Sequence, residues 1–246
     1  MAIKNKKYQK KLIILFSLLG GISFFFFQKK KEDKNYVVGG YCYKIPSNYA
    51  AMYSGWQDDQ HGSMLMIIAK LPNLTPDAYH LWHPEHDNLN PFLDKGILNI
   101  TLASNELSNA SGFAMRERWL RNQPNSVKIT GHFENFEIYT ITALQWLYVR
   151  GSGSNMLTVS CDGSLHNVDR AAQTQGRYGT CNVVFPLFEK DRNQNVYDHA
   201  FEIEMGGLQL QNIDEIEKNV RKMLLSWQVG KIDNGHCPTV PKERKL

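Results

Sequence analysis

Residues 12–27 (LIILFSLLGGISFFFF) form an uncharged run of 16 residues flanked by lysines on both sides, and any fold of the chain must take this run out of water. At ~1.5 Å of rise per residue a helix over the run spans roughly 24 Å, and the flanking lysines extend that reach by snorkelling to headgroups. The run therefore predicts a transmembrane signal anchor. A cleaved signal peptide is the rival, but the exit from the run carries Lys29, Lys30 and Lys31, with no Ala-x-Ala site and no lipid-bearing cysteine. Five lysines precede the run, which keeps the N-terminus cytoplasmic and sends the remainder out. The expected organisation is a basic stub (1–11), the anchor (12–27), a linker (28–35) and a periplasmic ectodomain (36–246), the last either one domain or two sheet-plus-helix halves at 36–130 and 131–232. The expected location is a single pass in the cytoplasmic membrane.

The charge of the whole chain misleads. Its formal +4 comes from nine lysines in residues 1–35; residues 35–246 hold 19 basic and 22 acidic side chains. A slightly acidic exported domain argues against nucleic acid as a partner. The same domain contains all four cysteines, none in a C-x-x-C pair, which leaves zinc-ribbon and thioredoxin-like readings without support. An even count in an exported domain implies disulfides. Cys161 ends the strand-like LTVSC and Cys181 begins CNVVF, so these two are the expected pair, leaving Cys42 to meet Cys237. Buried free thiols are the alternative.

Along the chain, residues 36–45, 64–70, 97–102, 127–130, 136–149, 156–161, 181–185 and 199–205 are rich in Val, Ile, Tyr and Thr and read as strands. Four prolines make 71–96 irregular, and Ser104 offers an N-cap for a helix ending near Asn122. Gly151 and Gly153 supply a hairpin turn. The clearest element is C-terminal: Ile213, Ile216, Val220, Met223, Leu224 and Trp227 recur at intervals of three and four behind an Asn212 cap, with Gly230 as the stop. The predicted class is α+β, a mostly antiparallel sheet with packed helices, preceded by the anchor.

No constellation compels chemistry. His80, His83 and His86 with Asp87 are the densest metal-like cluster, but Pro84 interrupts it and His86 falls off the face that the other two would share. Gly151-Ser152-Gly153-Ser154-Asn155 lacks the third glycine of a nucleophile elbow and leads into a strand. Phosphate-binding loops are absent, and no cofactor is expected. Aromatics interleaved with Asp58, Asp59, Glu85 and Asp87 have the composition of a protein interface, which makes those four carboxylates the candidate partner-binding residues.

The opening GYCYKIP, the mid-chain NMLTVSC, and FEIEM followed by LQNIDEIEKNVRKMLLSW resemble the immunity proteins that guard against type VI secretion lipase effectors. That resemblance implies an α+β periplasmic domain that binds and blocks a secreted phospholipase; the anchor run adds a membrane tether, and the lack of a catalytic constellation makes the expected protein a non-enzyme. The family's usual signal or lipoprotein sequence is replaced here by the cysteine-free run. The alternative is a non-catalytic envelope assembly protein contacting another secretion or cell-wall component.

Overall fold

The computed structural model describes residues 32–54, 61–62, 64–77, 96–104, 114–118, 128–163, 179–194 and 196–238. All the elements described lie in the unit Asp33–Leu246. Its strands are β1 (Lys34–Val38), β2 (Tyr41–Ile45), β3 (Ala51–Ser54), β4 (His61–Gly62), β5 (Met64–Lys70), β6 (Thr75–Pro76), β7 (Ile97–Ser104), β8 (Ile129–Phe133), β9 (Phe136–Thr142), β10 (Gln145–Arg150), β11 (Leu157–Asp162), β12 (Thr180–Pro186), β13 (His199–Gly206) and β14 (Gln228–Lys231). A helix, α1 (Ile213–Trp227), lies between the last two strands.

The larger sheet runs β3-β5-β7-β13-β12-β11-β10-β9-β8, with β6 beside β5, and every pairing in it is antiparallel. β7 and β13, which fall in the two expected halves, are direct neighbours, with Ile100 opposite Ile203. The smaller sheet runs β14-β2-β1-β4, where β1 and β4 are parallel.

Alternation within the strands builds the core. Leu65, Ile67, Leu98, Ile100, Leu102, Cys161, Cys181, Val183, Phe201 and Ile203 point to one face of the large sheet. There they meet Tyr43 and Ile45 of β2 and the α1 stripe of Ile213, Ile216, Val220 and Leu224. Burying each aliphatic side chain of that stripe contributes roughly 1.5–3 kcal/mol, enough to fix the helix on the sheet. The opposite face carries smaller clusters, Tyr139, Ile141, Leu147 and Val149 in one and Val184, Tyr197 and Ala200 in another.

Cys161 and Cys181 stand opposite each other on β11 and β12 and are disulfide-bonded; Cys42 of β2 is bonded to Cys237, 195 residues away in sequence. Two disulfides point to an oxidising compartment, periplasmic or extracellular.

The expected fold class needs correction. Among the described residues the architecture is mostly antiparallel sheet with one long helix, not a sheet with several packed helices. No helix among them is long and apolar enough to cross a membrane. Residues 12–27 lie outside the described residues, and 16 residues fall short of the ~20 that a spanning helix needs, so the expected signal anchor has no support.

Local expectations shift too. The strand expected at 36–45 is a hairpin, because Gly39 and Gly40 take φ of +57° and +77° and turn the chain. The strand expected at 136–149 turns at Ala143 and Leu144, where no glycine or proline marks the break. Asn212 makes no side-chain capping bond; a 3₁₀ turn, Gly207–Asn212, leads straight into α1. Gly230 lies inside β14 and does not end the helix. Ser104 closes β7, and of the helix expected after it residues 114–118 are described and helical.

Candidate functional site

The stripe that buries α1 leaves Glu217 and Arg221, one helical turn apart, at its edge. The chain leaving β12 makes a 3₁₀ turn, Glu189–Asp191, that brings Glu189 and Arg192 up to the same edge. Four side chains then interlock. Arg192 donates from Nε to Glu189 at 2.8 Å and from Nη2 to Glu217 at 2.6 Å, while Arg221 bonds both Glu189 and Glu217. The Arg221 guanidinium lies 5.7 Å from the ring centre of Phe201 in β13, so its plane is packed on the core as well as bonded.

Exposure is graded through the network. Arg221 and Glu217 are buried to 9% and 12% side-chain exposure, Arg192 is at 34%, and Glu189 is open to solvent at 65%. The hydrogen bond from Arg192 holds the Glu189 carboxyl below its ordinary value, and the bond to Glu189 keeps Arg192 charged well beyond its ordinary range. Burial pushes the neighbouring Tyr197 phenol up. Such a network holds arginine and glutamate in set orientations.

Beside it runs a groove of about 580 Å³, lined by the four network residues and by Lys218, Lys222, Leu225 and Ser226 of α1. A smaller cavity of about 80 Å³ adjoins it, sharing Arg192 and Glu217 and reaching Arg150, which is ion-paired with Asp214 and stacked over Phe136 at 4.9 Å. The groove is charged on its walls, apolar at Leu225 and open, which suits recognition of a protein surface.

Two further clusters lie elsewhere. His199 stands edge-on to Tyr41 and Phe188, at ring distances of 5.1 and 5.7 Å, and packs so closely on Gly39 that a Cβ there would collide with the imidazole. Its Nδ1 is buried without a hydrogen-bond partner, and burial lowers its pKa. On the face of the large sheet away from α1, Glu202 and Glu204 alternate along β13. Asn99 of β7 donates to Glu204 at 3.0 Å, and burial, reinforced by Glu204, raises the Glu202 pKa. Among the described residues no group of three His, Cys, Asp or Glu is arranged to hold a metal ion.

The candidate interface residues Asp58, Asp59, Glu85 and Asp87, and the histidines 80, 83 and 86, lie outside the described residues. The sequence reading missed the Arg–Glu network. Half of its signal was present, since Glu217 and Arg221 are spaced four apart on the clearest helix, and Glu189 and Arg192 three apart. What joins the two pairs is the return of the chain after β12, a tertiary contact that spacing does not carry.

The chain matches no protein-family model, and no curated protein matches it. Among solved structures, an immunity protein of the Stenotrophomonas maltophilia type IV secretion system is similar at 13% identity and a TM-score of 0.48, covering 80% of this chain and 94% of that one. At that level the likeness carries no functional argument.

Proposed function

We propose that this chain is an immunity protein: it binds a secreted effector, a phospholipase in the reading favoured by the GYCYKIP and LQNIDEIEKNVRKMLLSW segments, and blocks it without catalysing a reaction. The observation that carries the proposal is the pre-ordered Arg–Glu network at the wall of an open groove. The network fixes the charged wall of the groove beforehand, which reduces the ordering cost of association. The two disulfides suit a periplasmic site of action, where an incoming effector would meet it. Occlusion of the effector's substrate entrance is sufficient for protection.

The test is growth of cells that export a phospholipase effector from a reading frame adjacent to this chain's own, with and without the chain in the periplasm. Rescue of growth by wild type, and its weakening by Arg192→Ala, is the expected outcome. Lysis that proceeds unchanged in the presence of exported, disulfide-bonded protein sinks the proposal.

A further inference from the structure

We propose that the groove beside α1 receives an acidic, amphipathic segment of the partner, carboxylates toward Lys218 and Lys222 and an apolar side chain on Leu225. The inference rests on the protein-binding reading and names the partner's chemistry. Within the groove, Arg192 and Arg221 are already matched by Glu189 and Glu217, so the network is close to neutral. Lys218 and Lys222 are exposed, line the same groove, and make no ion pair among the described residues. They stand one turn apart, about 6 Å along the helix axis, a spacing that carboxylates four apart on a partner helix or two apart on a partner strand can match. Leu225, 38% exposed, follows Lys222 by three residues on the same face and offers the apolar contact.

The charge elsewhere sharpens the assignment. Residues 35–246 carry more acidic than basic side chains, so this cationic groove is a local feature and not part of a basic molecule. A phosphate-dense surface such as an anionic bilayer would set its charges against solvent-exposed Glu189 as well as toward the lysines. A segment with discrete, spaced carboxylates meets the lysines and leaves Glu189 to its arginines. Opposed charges at such a rim chiefly set the rate of encounter and its dependence on salt.

The test uses the full chain and the variant Lys218→Glu/Lys222→Glu, whose exposed positions leave the fold intact, as a thermal melt will verify. The probes are a synthetic amphipathic peptide with glutamates four apart beside leucine, the same peptide with lysine for glutamate, and phosphatidylglycerol vesicles. Wild type should bind the acidic peptide about tenfold more tightly than the double variant does at low salt, with the preference reversed for the basic peptide. Equal binding of the acidic peptide by both proteins overturns the proposal, as does vesicle binding that the double variant loses while neither protein binds peptide. The growth assay separates the two claims. Undiminished protection by the double variant overturns the groove assignment and leaves the immunity reading standing. Failure of protection by wild type, with acidic-peptide binding intact, overturns the immunity reading alone.

Discussion

At the scale of single residues, His199 shows how a close fit becomes a pH response. It sits between Tyr41 and Phe188 against the backbone of Gly39, where the small sheet meets the end of β13. Burial lowers its pKa from 6.5; Asp198 and Asp191 act against that, and Lys190 and Lys231 add to it. A base whose folded pKa lies below its unfolded value is protonated more readily when unfolded, so its contribution to stability is complete above pH 6.5 and lost as pH falls through that value. Unfolding by urea at several pH values should therefore show wild type losing stability relative to His199→Gln on acidification. A difference that stays constant between about pH 7.5 and about pH 5.5 would rule the mechanism out. Glu202 has the opposite sign: its raised pKa means that its contribution is lost as pH rises, and Glu202→Gln should stabilise the protein near neutral pH.

Among elements, the two disulfides cross-link very different lengths of chain. Cys161–Cys181 closes a loop of 20 residues between adjacent strands, worth about 3 kcal/mol in the chain-entropy model, whereas Cys42–Cys237 spans 195 residues and is worth about 5 kcal/mol. Replacing Cys42 and Cys237 by alanine should thus lower the melting temperature more than replacing Cys161 and Cys181. Equal effects would show that packing of the sulfurs, and not chain entropy, dominates. The elements most readable in the sequence were those whose period survives burial: α1, with its stripe from Ile213 to Leu224, and the strands β5 and β13, whose apolar residues face the core. The hairpin between β9 and β10 escaped because Ala143 and Leu144 are not turn-forming types and the apolar pattern runs through them. The end of α1 was misread because Gly230, a habitual helix stop, serves here inside a strand at φ +143°.

Within the unit Asp33–Leu246, one sheet joins strands of both expected halves and packs its core face against α1, and the turn after β12 completes the groove at the helix edge. Resemblance and interface-like composition suggest a binding protein from sequence alone; the candidate carboxylates at 58, 59, 85 and 87 lie outside the described residues, and the α1 edge carries no such compositional signal. The Arg–Glu network joins two locally spaced pairs through contacts between residues 25 and 32 apart, and that joining is what no local pattern carries. On the proposed function, the chain silences a secreted effector by occupying it. The most direct measurement is a titration of effector phospholipase activity with the purified chain, read at short and long incubation. Stoichiometric binding predicts residual activity that falls in proportion to the amount added and does not change with time; progressive loss of activity at a small fraction of an equivalent would contradict it and reveal turnover.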